Sequence, residues 1–593
     1  SLGLLKMDLL GLRTLTVIGD AIKFIYETTG DKLDIDKIPL DDEATCSMLR
    51  KGDTQGVFQL ESGGMTKLVM DLGPESFEDL IPLVALYRPG PLGTGMVEDF
   101  IAGRHGEKTA EMLHPLLEPV LKDTFGVILY QEQVMQITSV LAGFSLGQAD
   151  ILRRAMGKKK AKELDSMREA FIDGAQQKHG ISPQLSSEIF ALLQHFAGYG
   201  FNKSHSAAYA LVAYQTAYLK AHWPAEFMAA FLTSVISDSE KLSWYISVCR
   251  SMGLKILPPD VNESGRSFSV NKDRVIRFGL AGVKNVGENA IGSILQARKE
   301  GPFKSLMDFC KRVDNRAVNK QMLENLIKCG AMDSFGYKRS ELLAVAEQAM
   351  DMGSNYQKDY QSGQMGLFGD DSFADVNELR IPELEEIPKR TILQYEKELI
   401  GFYVTGNPLD AYVGSLYYYT PLRKISDASE VLDGKYFSVA GIISDCRIRN
   451  TRQGDSMAIL TLEDFNGKME IVVFPKVYRD AARLLYQENA ISVEGKLSID
   501  ERERKIQALK IKPLQEVPPD LHIKIMKKDE NGIVQKGLKQ IFESFSGDTP
   551  VYLHLIDSGK MIKVERCFWV DGKNAGVYQA LDDLLGENWY LKG

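Results

Sequence analysis

Residues 436–443 read Tyr436-Phe437-Ser438-Val439-Ala440-Gly441-Ile442-Ile443. Two further runs follow, Met457-Ala458-Ile459-Leu460-Thr461-Leu462 and Met469-Glu470-Ile471-Val472-Val473-Phe474. Short β-branched and aromatic runs with two-residue alternation are strand signals, and Asp464-Phe465-Asn466-Gly467 between the last two is a hairpin turn. About five such strands within residues 434–513 predict a small β-barrel, whose closure leaves no open sheet edge. This switch of period decides the fold, because the chain before it reads differently. Residues 40–260 carry helical spacing broken by Gly/Pro-rich loops such as Tyr87-Arg88-Pro89-Gly90-Pro91-Leu92-Gly93. Residues 265–335 form a compact basic helical unit. The Gly/Gln/Asp-rich stretch 351–378 reads as a flexible linker, and 520–593 as a small α/β tail. Residues 1–30 read as a strand and then a helix over Thr14–Tyr26. Ser206 is read as a helix start and Pro224 as a restart. The expected fold is multidomain, mainly α with α/β and β parts.

The 593 residues carry 71 Lys+Arg and 80 Asp+Glu, a net charge of −9, with 44% hydrophobic and 25% charged residues. Wholesale disorder, collagen and mini-protein scaffolds are excluded, and the length suits roughly three to five domains. A wholly basic nucleic-acid binder is excluded, but local basic patches are not. Residues 150–168 hold seven basic and three acidic residues, and 263–330 thirteen and seven. Residues 370–398 reverse this, with nine acidic and four basic. No run of about 18 apolar residues predicts a membrane span, and Ser1–Asp8 lacks the marks of a signal peptide. The six cysteines form no CxxC pair, which suits free thiols in a reducing cytoplasm. The start, without Met and already densely apolar, suggests a chain cut from something longer.

Six constellations could carry chemistry. Lys6 and Asp8 share one face of the first strand, where a carboxylate can hold a divalent cation and a Lys can face a phosphate, although such pairs are more often structural. Arg154, Lys158 and Lys162 recur at four-residue spacing and, with Arg153, Lys159 and Lys160, suit phosphate oxygens or simply a solvated helix face. In Gly198-Tyr199-Gly200-Phe201-Asn202-Lys203-Ser204-His205, polar donors crowd a helix start, so backbone N–H groups and Lys203 could take an anion; His205 could equally be a cap or core residue. Val283-Lys284-Asn285-Val286-Gly287 resembles the turn of a helix-hairpin-helix, whose amides hold a DNA phosphate without reading sequence, or an ordinary helical corner. Arg447, Arg449, Arg452 and Lys468 on the barrel, with Phe465, suit an oligonucleotide-binding barrel tracking a single strand. Gln364-Met365-Gly366-Leu367-Phe368 offers two apolar anchors and an orienting amide, a short docking peptide or a chance apolar spot.

Taken in order, the motifs resemble one family. Lys6–Arg13, Gly56-Val57-Phe58-Gln59-Leu60-Glu61-Ser62, Tyr87–Pro91, Tyr130-Gln131-Glu132-Gln133, Ala149–Lys160 and Gly198–Ala207 follow the order of the α subunits of bacterial DNA polymerase III, the C family of DNA polymerases, and the hairpin, docking peptide and barrel follow in turn. The resemblance covers essentially the whole chain. It implies residues 1–30 as the end of a nucleotidyltransferase-like palm and 31–262 as fingers. Residues 263–335 would be the helix-hairpin-helix unit and 336–430 the clamp-binding region and linker. Residues 431–515 would be an OB-fold and 516–593 the C-terminal domain.

The implied activity is template-directed DNA synthesis from dNTPs, with Mg²⁺ as cofactor held by three aspartates. Asp8 matches the third; the other two lie in an earlier motif of the family. Lys6, Arg88, Arg153, Arg154, Lys158, Lys159, Asn202, Lys203, Ser204 and His205 match positions around the nucleotide. Lys284, Asn285 and Gly287, with Arg447, Arg449 and Arg452, would face primer-template DNA and a single-stranded template. Gln364, Met365, Leu367 and Phe368 match the sliding-clamp motif, and the tail matches the region that meets the clamp-loader τ subunit. A proofreading exonuclease would join through the N-terminal part. The alternatives are a non-catalytic DNA- and clamp-binding module and an accessory mutagenic paralogue, both of which fit these residues.

Overall fold

The computed structural model describes Met7 and residues 11–590, apart from residues 94, 109–111, 158–160, 198–199, 362–378, 427–431, 452–453, 466, 500–503, 517–519, 527–531 and 587–588. Lys6, Asp8, Lys158, Lys159, Arg452 and the 364–368 peptide therefore lie outside the described residues. The chain divides into two compact units, Ser1–Val404 and Thr405–Gly593.

The first unit is helical and organised by one helix, Lys203–His222. Its Ala210, Ala213, Tyr214 and Ala217 enter one apolar core with Leu60, Leu83 and Tyr130, while Leu219 enters a second with Val17, Phe227 and Phe278. A helix apolar on more than one side must lie inside its domain, and the small alanines let its neighbours approach. Tyr214 keeps a polar end within the core: its hydroxyl donates to the Pro39 carbonyl at 2.8 Å and accepts from the Asp42 N–H at 3.0 Å.

The first helix runs Arg13–Thr29, longer at both ends than the sequence spacing indicates, and buries Val17, Ile18, Ala21 and Ile25 on one stripe. A third core joins Gln131–Ala142, Leu146–Gly157, Ala161–His179 and Pro183–Ala197 through Ile137, Leu152, Phe171 and Phe190. Gly174 lies directly against the Ala142 carbonyl, where a Cβ has no room. Two expectations fail here. Asn202, not Ser206, caps the long helix, its Oδ1 accepting from the His205 N–H at 2.8 Å, and Ser206 is buried one turn inside. Arg154 and Lys162 belong to two successive helices, Leu146–Gly157 and Ala161–His179, rather than to one continuous face.

Pro224 does restart a helix, Pro224–Ser234, at its first turn. The basic unit combines the helices Glu288–Ala297, Leu306–Arg312 and Lys320–Lys328 with three two-residue strands at 256–257, 269–270 and 276–277 that the sequence reading lacks. Helix Arg339–Gln361 takes in the first part of the stretch read as linker.

In the second unit the expected barrel is present. Tyr436–Asn450, Ser456–Glu463, Lys468–Val473, Arg504–Pro513 and Ala490–Ile499 close in that order. Val439, Leu460, Ile471, Val493 and Ile506 fill the interior. The Asp464–Gly467 turn is closed by the Asp464 N–H on the Gly467 carbonyl at 3.0 Å. The tail pairs Leu521–Ile525 in parallel with Val551–Leu555 and adds Lys560–Lys563 antiparallel. Helices Gly532–Ser544 and Ala575–Leu585 contribute Leu538 and Leu581 to its core. Among the described residues, no helix is long and apolar enough to cross a membrane. The cysteines are unpaired thiols, with Cys46, Cys249, Cys310 and Cys329 buried.

Candidate functional site

The start of the long helix is tied to the start of Gln131–Ala142. The Gln131 N–H donates to the Phe201 carbonyl at 2.8 Å and the Phe201 N–H to the Leu129 carbonyl at 3.1 Å. The Gln131 side-chain amide donates to the Gly200 carbonyl at 2.9 Å. This two-sided lacing fixes Asn202, Lys203 and His205 against the 130–133 segment.

Three cationic side chains gather around it. The Arg88 guanidinium lies 4.3 Å over the Phe201 ring, and its Nε donates to the Ala85 carbonyl at 3.1 Å; burial lowers its pKa, and it remains a cation. Arg153 donates to the Gln131 side-chain oxygen at 3.0 Å, which draws helix Leu146–Gly157 to the same place. The Lys203 ammonium lies 5.5 Å from the centre of the Tyr130 ring.

Two of the arginines and the helix start already meet internal carboxylates. Asp150 receives Arg153 at 2.8 Å and Arg154 at 2.7 Å; the hydrogen bond from Arg153 is the main cause that lowers its pKa. Glu132 accepts from the Lys203 N–H at 3.0 Å and from the Asn202 amide at 3.0 Å. The helix start read from sequence as an anion site thus holds an anion from within the chain. A phosphate arriving there would have to displace Glu132 or Asp150. Arg154 is 66% exposed and Arg153 24%, so the outer arginine meets solvent first. Ser204 and His205 are exposed at the same helix start.

The structure therefore brings Arg88, Arg153, Arg154, Asn202, Lys203, Ser204 and His205 together. Gln131, Glu132 and Asp150 were not assigned roles from sequence, although the first two stand in the quoted Tyr130–Gln133 motif and Asp150 within the basic run. Among the described residues no group of three or more His, Cys, Asp or Glu side chains could hold a metal ion.

The hairpin lies elsewhere in the first unit. Asn285 adopts φ of 63° at its tip, a left-handed conformation that Asn tolerates better than most residues. Val283 and Val286 are buried while Lys284, Asn285 and Gly287 are exposed. The Lys284 N–H donates to the Leu399 carbonyl at 2.8 Å, so this amide is not one that a phosphate would take. The turn is entered from a single 3₁₀ turn, Leu280–Gly282, and leads into Glu288–Ala297. On the barrel, Arg447 pairs with Asp445 at 2.8 Å and Lys468 with Glu463 at 3.0 Å. Arg449 and Phe465 are exposed.

Comparison with known proteins matches residues 14–179 to the bacterial DNA polymerase III alpha subunit finger domain. Residues 253–342 match a helix-hairpin-helix motif and residues 437–514 an OB-fold nucleic acid binding domain. The chain is 42% identical to the DNA polymerase III subunit alpha of Thermus aquaticus, over 94% of this chain and 46% of that one. It is 41% identical to the Pseudomonas aeruginosa subunit, over 99% and 52%, and 43% identical to that of Escherichia coli K12, over 84% and 44%. The chain spans about half the length of the curated relatives it matches.

Proposed function

We propose, for a chain that belongs to the family of bacterial DNA polymerase III alpha subunits, that it takes part in template-directed DNA synthesis by holding the incoming dNTP and the primer-template. The observation that carries this reading is the convergence of Arg88, Arg153, Arg154 and Lys203 on the laced junction of residues 129–133 and 200–205, within and beside the matched finger domain.

Guanidinium forks suit the triphosphate oxygens, and charge-assisted bonds are the strong ones. Arg153 and Arg154 bind the phosphates by exchanging Asp150 for them, and the Lys203 ammonium beside Tyr130 adds a point charge at the same junction. Arg88 and His205 complete the wall beside Phe201, with Asn202 and Ser204 as neutral donors. Lys6, Lys158 and Lys159 add positive charge from the family pattern. A divalent metal ion belongs to this chemistry; in our reading it is Mg²⁺ and Asp8 is one of its ligands. Lys284, Asn285 and Gly287 approach the duplex backbone, and Arg447, Arg449 and Arg452 approach single-stranded template. The peptide Gln364–Phe368 docks on a sliding clamp through Met365, Leu367 and Phe368. The tail meets the clamp-loader τ subunit, and the assembly works in the cytoplasm.

The test uses primer-template with a dideoxy 3′ end. The next complementary dNTP slows release of this DNA from the chain, and a mismatched dNTP does not. Tight DNA binding without any nucleotide effect favours the non-catalytic module instead.

A further inference from the structure

Beside the cationic groups runs a ladder of rings. His205 and Tyr209 are four residues apart on one stripe of helix Lys203–His222, and Phe201 precedes the Asn202 cap in the strand-like bridge to Tyr130. The Phe201 and His205 rings meet edge to face at 5.3 Å, and His205 lies 4.2 Å from Tyr209. Tyr209 in turn meets Phe58 at 5.4 Å, and Arg88 closes the far end over Phe201 at 4.3 Å. Four rings and one guanidinium thus form an unbroken row from Phe58 to Arg88.

The Phe58 end is anchored much more firmly than a surface loop needs. The Phe58 N–H donates to the Thr216 hydroxyl at 3.1 Å. The Gly56 N–H donates to the Glu61 carboxylate at 3.1 Å, which also accepts from the Tyr245 hydroxyl at 2.5 Å. Lys220, 3% exposed, donates to the Asp53 and Gln55 carbonyls at 2.8 Å each. A buried ammonium held by two backbone carbonyls fixes the path of that loop. Gln59 takes φ of 63° beside it, a conformation uncommon for a residue other than glycine.

We propose that Phe58 and Tyr209 are positioning residues for the nucleotide site: braced by Lys220 and Glu61, they hold the His205 ring and, through Phe201, the Arg88 guanidinium in place. An exposed histidine at a helix start otherwise samples several side-chain rotamers, and ordering it on binding costs affinity. The ladder removes that freedom before the nucleotide arrives.

This inference rests on reading Arg88 and His205 as nucleotide contacts, and the test separates the two. The chain has eight histidines, so histidine-selective labelling gives a small set of ring signals, with His205 assigned by its loss in His205→Gln. Without nucleotide, Phe58→Leu and Tyr209→Leu each shift and broaden the His205 signal while the other seven hold. Phe58→Tyr, which keeps the ring, restores it. Phe58→Met serves if Phe58→Leu disturbs the other signals. An unmoved His205 signal in both ring-deleting variants overturns the ladder. In complexes with primer-template, the dNTP concentration that half-shifts His205 rises in Phe58→Leu by about threefold to tenfold, the span an aromatic contact is worth. If dNTP moves no histidine in the unmodified chain, the nucleotide reading fails, and the ladder is judged on the spectrum without nucleotide alone.

Discussion

Asp150 sits between the two arginines of helix Leu146–Gly157, where it would compete with a phosphate. Its two oxygens receive Arg153 and Arg154 at 2.8 and 2.7 Å, and the carboxylate stays ionised because those hydrogen bonds outweigh its desolvation. Replacing it by an amide keeps the shape but removes the competing charge. We expect Asp150→Asn to lower the half-saturating dNTP concentration by about threefold, of the order of one partly exposed ion pair. Titration of the dNTP effect on DNA release measures this, and weaker nucleotide binding would mean that Asp150 aims the arginines rather than competing with the ligand. At this scale the sequence shows which residues are basic, because charge is written in the residue type. It does not show which acid neutralises which base. Nor does it show that Glu132 reaches the Lys203 backbone N–H and the Asn202 side-chain amide across about seventy positions, a contact that no local pattern encodes.

At the scale of elements, Gly174 sets how closely helix Ala161–His179 crosses the end of Gln131–Ala142, since a Cβ would strike the Ala142 carbonyl. Gly174→Val should destabilise the first unit by about 1–3 kcal/mol, the usual penalty for overpacking. Urea unfolding of the full chain checks this, and an unchanged midpoint would show that the two helices can separate freely. The barrel carries another prediction. Arg447 is engaged with Asp445 at 2.8 Å, so in the proposed reading Arg449 would be the better phosphate contact. Arg449→Ala should reduce the salt slope of single-strand binding by about 0.7, the value of one phosphate; an identical slope removes Arg449 from the strand's path.

The barrel was legible because Leu460 and Ile471 sit in strands whose buried residues alternate with half-buried ones, a two-residue period that helices cannot imitate. The start of Lys203–His222 was misplaced at Ser206, because both Asn202 and Ser206 are good capping residues and only tertiary lacing selects the first. The extension of Arg339–Gln361 into the stretch read as linker has a similar origin. Gln357 donates to the Cys310, Lys311 and Val313 carbonyls, holding that turn through contacts remote in sequence.

For the whole molecule, the net charge of −9 conceals the distribution that matters. A partner senses charge within a Debye length of about 8–10 Å, so the basic site and hairpin unit are compatible with a phosphate-rich ligand. Buried thiols give the first unit an alkaline limit. Burial pushes Cys249, Cys310 and Cys329 up to about 12 from an ordinary 9.0. The unfolded chain loses these protons first, so the stability they contribute is full below pH 9 and falls as pH rises toward 12. The limiting slope is about 1.4 kcal/mol per pH unit for each thiol. Lys220 acts oppositely. Burial pushes it down to about 8 from 10.5, so the folded state sheds its proton first and gains stability between those values. Three thiols outweigh one lysine, and the urea midpoint under reducing conditions should start to fall near pH 9; a level midpoint to pH 10.5 would contradict this.

The central claim is that the paired arginines of helix Leu146–Gly157 bind the phosphates of an incoming nucleotide. Its most direct measurement is the slowing of dideoxy-ended primer-template release by complementary dNTP, in the unmodified chain and in Arg153→Ala/Arg154→Ala. The account predicts that the double variant needs at least about tenfold more dNTP, as for loss of charge-assisted phosphate bonds, while DNA affinity without nucleotide stays within about twofold. The same dNTP dependence in both proteins would contradict it.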